Sequence, residues 1–140
     1  MVDIISVAIY SVIGIILMMV GNFLIDLVIP CHFPTEIKNG NVAVGYLSAS
    51  SFIGTGILLK AAIASPSSTV IEETLLSGIE SSLLYFVIGI VFCIIGYLVL
   101  NLVNKKYDLN KEIGKGNPAA GIMVSGMFIG LAIVISGVIY

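Results

Sequence analysis

The sequence predicts an all-α integral membrane protein with four transmembrane helices. Of its 140 residues, 59% are hydrophobic and only 10% are charged, whereas soluble domains are about half apolar and about a quarter charged. Four apolar stretches, residues 4–29, 41–64, 81–103 and 117–139, are each long enough to cross a bilayer core of roughly 30 Å. These stretches are continuously apolar, without the alternation of barrel strands, so a β-barrel is excluded.

The composition and motifs also exclude several classes of function. The chain has six basic residues, all lysine, and a formal net charge of −2, so it lacks the basic surface that nucleic-acid binding requires. It contains no phosphate-binding loop, metalloprotease motif, nucleophile elbow or haem attachment motif. The adjacent pair Cys31 and His32 lacks the further ligands of a zinc site. We therefore expect no enzymatic activity, no catalytic residue, no cofactor and no metal site.

The distribution of lysines predicts the orientation of the chain in the membrane. The first loop contains Lys38, and the third contains four lysines between residues 105 and 115, whereas the second loop, residues 65–80, contains none. Because loops rich in lysine stay in the cytoplasm, we expect loops one and three inside and both termini outside. Lys60 lies near the outer end of the second stretch, from which its long side chain can reach the interface.

The second loop contains helix signals of its own. Thr69 and Glu72 have the spacing of a capping box. The apolar residues Leu75, Leu76 and Ile79 then recur at helical spacing. These residues form either a short helix in the outer interface or an extension of the third transmembrane helix.

The chain repeats itself. A motif of the form Glu-Ile-x-x-Gly-Asn-x-Ala-x-Gly begins at Glu36 and recurs, without gaps, at Glu112. Each repeat contains two transmembrane helices joined by a cytoplasmic loop, and an even number of crossings gives both repeats the same orientation. We therefore expect a single membrane domain with a pseudo-twofold axis along the membrane normal. Its parts are repeat one (residues 1–64), an outer linker (65–80) and repeat two (81–140).

The doubled motif resembles the YjfL-like family known as Domain of Unknown Function 350. The resemblance rests on Glu-x3-Gly-Asn-x-Ala before a glycine-spaced helix, at residues 36–43 and 112–119, and covers nearly the whole chain. It implies a small multi-pass protein of the bacterial or archaeal cytoplasmic (inner) membrane, in a family without an agreed biochemical activity. Relatives that resemble parts of envelope-stress gene clusters imply an accessory role.

Two pairs of motif residues have structural and functional interpretations. Asn41 and Asn117 open the second and fourth apolar stretches, and asparagine is a preferred helix cap; contact with a ligand is the alternative. Glu36 and Glu112 precede these caps by five residues. They neutralise the positive ends of the two helix dipoles or pair with lysines of the loops, or else they attract cations to a cytoplasmic entrance.

Asp26 is a candidate for an ion or polar path. It lies four residues after Asn22, on the same helix face, and its counterpart in the second repeat is Asn101. A carboxylate within a transmembrane helix is costly and faces a partner or water. The alternative is that Asp26 lies at headgroup depth and is solvated there. Ser48, Ser50 and Ser51 add hydroxyl groups to the second stretch, for backbone hydrogen bonds or for a polar lining.

Small residues spaced by four predict close helix packing in the second and fourth transmembrane helices. Such residues let helix backbones approach within a membrane, where no hydrophobic driving force acts between helices. We expect this packing at the centre of the bundle or at a subunit contact. The glycines concerned are Gly45, Gly54, Gly121, Gly126 and Gly130.

Two functional hypotheses follow from these patterns. The first is a non-catalytic, homo-oligomeric accessory module embedded in the lipid bilayer, with room for an unknown cytoplasmic protein partner. The second is a homo-oligomeric cation channel or transporter, because one four-helix subunit is too slim to enclose a water-filled path and symmetry would have to form the pore.

Overall fold

The computed structural model describes residues 4–65 and 75–139, and every regular element in these ranges is an α-helix. Four long helices, apolar enough to cross a membrane, are α1 (Ile4–Val28), α3 (Val42–Ala64), α4 (Leu75–Val103) and α6 (Pro118–Ile139). Two short helices precede the second long helix of each half: α2 (Phe33–Lys38) and α5 (Leu109–Gly114). The predicted all-helical class and the four transmembrane helices are therefore confirmed.

Helix α4 is longer than the sequence analysis predicts. It begins at Leu75 rather than at residue 81, so Leu75, Leu76 and Ile79 extend the third transmembrane helix. Of the two interpretations of these residues, the structure favours the extension. The predicted capping box of Thr69 and Glu72 lies outside the described residues.

Helix α3 forms the centre of the bundle. It contacts α1, α4 and α6, and its closest packing is against α6. Ala43, Val44 and Leu47, at the start of α3, are completely buried. Helix α1, in contrast, buries only Leu17, Gly21 and Ile25, so most of its surface is available to lipid.

The two halves of the chain use equivalent positions where their long helices meet. In the first half, a Cβ on Gly21 of α1 would lie 3.3 Å from the hydroxyl of Thr55 on α3, and slightly nearer to Ile90 and Phe86 of α4. In the second half, Gly96 on α4 faces Leu131 on α6 in the same way. These pairs occupy matching places in the sequence repeat. Equivalent glycines thus allow the long helices of each half to approach.

A buried tyrosine fixes α5 beneath the bundle. The ring of Tyr97 on α4 is almost fully buried, and its hydroxyl donates a hydrogen bond to Oδ1 of Asn110 on α5. Leu109 and Ile113 on α5 are also completely buried. The short helix is therefore part of the core at the end of the bundle that carries the lysines of the third loop, called the lysine-bearing end below.

Candidate functional site

A tight turn joins each short helix to the long helix that follows, and the two turns share one backbone conformation. Gly40 and Gly116 have φ angles of 78° and 83°, a left-handed conformation that glycine adopts without steric cost. The amide of the following asparagine donates to the carbonyl of the motif glutamate, at 2.9 Å in the first turn and 3.0 Å in the second. This is a Schellman motif. The sequence Glu-x3-Gly-Asn therefore ends one helix and immediately begins the next.

The glutamate and asparagine side chains of each motif are hydrogen-bonded to each other. Nδ2 of Asn41 donates to Oε2 of Glu36 at 2.7 Å, and Nδ2 of Asn117 donates to Oε2 of Glu112 at 2.7 Å. Oδ1 of Asn41 also accepts from the backbone amide of Val44 at 3.1 Å, which caps α3. In both repeats the carboxylate and the amide thus form one local unit at the start of a long helix.

The two asparagines differ in their remaining contacts. Nδ2 of Asn41 also donates to the carbonyls of Ile113, at 2.9 Å, and Gly114, at 3.3 Å. Oδ1 of Asn117 accepts from the amide of Ala119 at 3.1 Å. Asn41 therefore both caps α3 and joins the first turn to α5, whereas the side-chain hydrogen bonds of Asn117 to described residues stay within its own turn.

Two carboxylates of the second half are held in their ionised form. The hydrogen bond from Asn117 and the charge of Lys115, 3.5 Å away, lower the pKa of Glu112. The hydrogen bond from the backbone amide of Lys111 lowers the pKa of Asp108, the N-cap of α5. Because both lysine side chains are at least 70% exposed, these ion pairs add little to stability.

Asp26 lies near the end of α1 and is half-buried. Its Oδ1 accepts a hydrogen bond of 2.7 Å from the amide of Phe33, the first residue of α2, where backbone amides lack partners within the helix. In the second half, the equivalent of Asp26 is Asn101, and Asp108 instead caps the short helix. The two halves therefore satisfy the start of their short helices with different carboxylates.

Three buried polar atoms within the long helices have no hydrogen-bond partner among the described residues. They are Oδ1 of Asn22 and the hydroxyls of Ser48 and Ser51. Ser48 and Ser51 are only 6% and 4% exposed, and buried polar groups are normally hydrogen-bonded. These atoms belong to α1 and α3, which pack together.

The predicted packing glycines fall into two groups. A Cβ on Gly121 would lie 2.6 Å from the Cα of Ala43. A Cβ on Gly54 would lie 3.5 Å from the Cβ of Ala132. Gly54 and Gly121 therefore bring α3 and α6 into close contact. Around Gly45, Gly126 and Gly130, by contrast, no atom lies within 4 Å of an added Cβ. Within the part of the chain that the structure describes, these three glycines do not pack against another helix.

Two cavities open at the lysine-bearing end. A polar cavity of about 300 Å³ lies between the two turns and is lined by Glu36, Asn39, Gly40, Asn41, Gly114, Lys115 and Gly116. A mainly apolar cavity of about 400 Å³ lies beside the start of α6 and is lined by Tyr107, Glu112, Asn117, Ala119, Ala120 and Met123. Both cavities include a motif glutamate and its asparagine, so each motif combines a helix cap with a cavity wall.

Sequence analysis did not identify several residues at this end of the bundle. It treated the first and third loops as connections, although Gly40 and Gly116 mark the ends of short helices. Asp108 three residues before Lys111 has the spacing of a helix cap, which would have indicated α5. The role of Tyr107 was not recognisable from the sequence, because its position in a cavity wall depends on tertiary packing.

A comparison with protein families decides the classification. The model of the family described as Domain of Unknown Function (DUF350) matches residues 1–79 and again residues 73–140. The chain belongs to this family. The resemblance stated from the doubled motif is thereby confirmed, and the two matches agree with the position of the sequence repeat.

One relative extends the comparison to a named protein. A UPF0719 transmembrane protein of Aquifex aeolicus (strain VF5) is 26% identical over 127 residues, which cover 90% of this chain and 46% of the relative. The chain thus spans less than half the length of that relative. No solved structure matches. The chain is therefore a transmembrane protein of the DUF350 family, and the description of that family names no function.

Proposed function

We propose that this protein is a non-catalytic, homo-oligomeric accessory module of the cytoplasmic membrane, with a role in envelope stress. The observation that carries the proposal is an open face of α6. This face carries three exposed glycines, Gly126, Gly130 and Gly137, and no atom of another helix between residues 4–65 or 75–139 lies within 4 Å of a Cβ added to any of them. Small residues at such spacing let a second helix approach closely in a membrane.

The packing of the subunit supports self-association. Helix α3 packs against α4 of the other repeat, but the counterpart contact, between α6 and α1, is minor or absent among the described residues. The pseudo-twofold arrangement that we infer from the sequence repeat would cover both helices equally. The subunit therefore leaves on α6 a surface that a second copy of the chain can cover. The greater length of the Aquifex relative is consistent with more than four helices in the working unit.

The orientation that we propose places α2, α5 and the two turns in the cytoplasm. Positively charged loops remain in the cytoplasm. This end of the bundle carries four lysines of the third loop: Lys105, Lys106, Lys111 and Lys115. In this orientation the motif glutamates face the cytoplasm. A cytoplasmic partner protein would meet the bundle at this end.

Native mass spectrometry of the purified protein tests the assembly. Leucine at Gly126 or at Gly130 adds bulk to the open face, and leucine at Ala8, an exposed residue of α1, adds bulk elsewhere. We expect the wild type and Ala8→Leu to form the same oligomer and both glycine variants to be monomers. A monomeric wild type, or intact oligomers of both glycine variants, would contradict the proposal.

A cation channel or transporter is the second candidate function, and the buried polar atoms of Asn22, Ser48 and Ser51 favour it. Ion flux into liposomes distinguishes the two candidates, with potassium, sodium and protons measured separately. Asparagine at position 26 keeps an oxygen that can accept from Phe33, so Asp26→Asn removes the charge but keeps the hydrogen bond. Ion flux in the wild type that is abolished in Asp26→Asn would establish a cation conductor that depends on the charge of Asp26. No flux of any of the three ions would favour the accessory module.

A further inference from the structure

The apolar cavity beside α6 has the layout of a site for an amphipathic molecule. Its volume of about 400 Å³ falls within the range of roughly 300–1,000 Å³ of small-molecule sites. Ala119, Ala120 and Met123, on the first turns of the long helix α6, form its apolar wall, and Glu112 and Asn117 form its polar wall. The cavity thus spans the boundary between the apolar part of α6 and the charged third loop.

The polar wall carries a negative charge that has spare hydrogen-bonding capacity. Oε2 of Glu112 accepts from Asn117 at 2.7 Å. Oε1 lies 3.5 Å from the ammonium of Lys115, whose side chain is 70% exposed. A carboxylate oxygen has room for further donors. Glu112 can therefore accept from an ammonium group in the cavity.

Two positively charged residues are sequence neighbours of a residue that lines the cavity. Lys105 and Lys106 are exposed and directly precede Tyr107, whose ring lines the cavity. Lysine ammonium groups bind phosphate as point charges, and tyrosine is typical of the membrane–water interface. A carboxylate and an apolar wall thus line the cavity, and two exposed lysines directly precede one of its lining residues in the sequence.

The first repeat lacks this combination, although it has the same motif. Glu36 and Asn41 form the same hydrogen bond. The residues equivalent to the apolar wall, however, are Ala43, Val44 and Leu47, and all three are completely buried within the bundle. In the first repeat, Glu36 therefore lines a polar cavity that has no apolar wall. A substitution at Glu36 is a matched control for the same substitution at Glu112.

We propose that the cavity lined by Tyr107, Glu112, Asn117 and Met123 binds a phospholipid with a primary-amine headgroup, of the phosphatidylethanolamine type. The carboxylate of Glu112 accepts from the ammonium, Lys105 and Lys106 contact the phosphate, and the acyl chains lie along Ala119 and Met123. A membrane lipid, rather than a soluble amine, is the occupant because the wall of the cavity is mainly apolar and continues onto the exposed Ile122 of α6. The cavity belongs to one subunit, and Ile122 lies on the same face of α6 as Gly126, four residues away, so a bound lipid and a second copy would be neighbours on that face.

Native mass spectrometry of the full chain in detergent tests the site. Phosphatidylethanolamine and phosphatidylcholine with identical acyl chains are titrated separately, because the trimethylammonium of choline cannot donate a hydrogen bond. We expect the wild type to bind phosphatidylethanolamine at least about tenfold more tightly than phosphatidylcholine. This difference in affinity corresponds to the contribution of one charge-assisted hydrogen bond. Glu112→Gln keeps the acceptor for Asn117 and removes the charge, so this preference disappears.

Two further variants make the result specific to the cavity. Glu36→Gln, the same change in the first repeat, keeps the preference, and Ala119→Phe, which fills the cavity, weakens the binding of both lipids. Equal affinity of the wild type for the two lipids, or equal effects of Glu36→Gln and Glu112→Gln, would overturn the proposal. Displacement of the lipid by soluble phosphoethanolamine at the same concentration would also overturn it, because the ligand would then be a free amine.

Discussion

The contact between α3 and α6 predicts opposite behaviour for two glycines of the same helix. Alanine at Gly121 places its Cβ 2.6 Å from the Cα and 2.8 Å from the carbonyl oxygen of Ala43. Because both atoms belong to the backbone, no side-chain rotation relieves the overlap and the helices must separate. Alanine at Gly126 meets no atom of another described helix within 4 Å. Gly126→Ala is therefore a matched control for the same chemical change.

Two free-energy contributions, helix propensity and packing, determine the expected difference in stability between the two variants. Replacing glycine by alanine in a helix gains roughly 1 kcal/mol of helix propensity at both positions. Overpacking costs about 1–3 kcal/mol at Gly121 alone. Gly121→Ala should therefore be less stable than Gly126→Ala by about 1–3 kcal/mol, a factor of about 5 to 150 in the unfolding equilibrium constant.

Reversible unfolding in mixed detergent micelles, followed by circular dichroism, measures this difference. The wild type and both variants are compared at one protein concentration, below that at which the protein assembles, so that an effect on the oligomer does not enter. Equal stability of Gly121→Ala and Gly126→Ala would refute the close approach of α3 and α6 at Ala43.

Three further predictions concern the lysine-bearing end. Asn41→Ala should destabilise the protein more than Asn117→Ala, by about 1 kcal/mol in the same unfolding assay, because only Asn41 also donates to the carbonyls of α5; equal losses would count against this link. Asp26→Leu should cost about 1–3 kcal/mol by leaving the amide of Phe33 without its acceptor, whereas Asp26→Asn should cost less, and the reverse order would exclude that role. Burial and the nearby charges of Glu36 and Asp26 raise the pKa of the Cys31 thiol to about 11, so in a Cys93→Ala background iodoacetamide should react slowly at pH 8. The reaction should accelerate as the pH approaches 11, and Glu36→Gln should accelerate it at pH 8; an unchanged rate in this variant would show that the charge of Glu36 does not act on the thiol.

The fold was largely predictable from the sequence because the bilayer imposes simple constraints. The apolar lengths placed α1, α3 and α6 to within a residue at each end, since a helix that crosses a membrane must remain apolar over that length. The start of α4 was placed too late because residues 75–80 include the polar residues Ser77 and Glu80. Helical spacing of Leu75, Leu76 and Ile79 carried the correct signal, but it did not distinguish an extension from a separate helix.

The lysine-bearing end was less predictable because it depends on contacts between the repeats. The sequence identified Asn41 and Glu36 as motif residues, but their hydrogen bond to each other requires the turn at Gly40. The link from Asn41 to Ile113 joins residues far apart in the chain. Pattern analysis within one repeat could not reveal that link.

The glycines illustrate the same limit. Gly121 and Gly126 are both small residues of α6, and spacing alone predicted packing for each of them. Only the position of α3 separates a glycine that contacts Ala43 from one that faces away from the subunit. A periodic stripe indicates that helices approach closely, but the direction of that approach depends on the tertiary arrangement.

The number of subunits in a lipid bilayer tests the central claim most directly. Single protein molecules carrying one fluorophore per chain are reconstituted into liposomes at low density, and photobleaching steps are counted for the wild type, Gly126→Leu and Ala8→Leu. We predict several steps for the wild type and Ala8→Leu, and one step for Gly126→Leu. A single step for the wild type would contradict assembly, and several steps for Gly126→Leu would contradict assembly through the open face of α6.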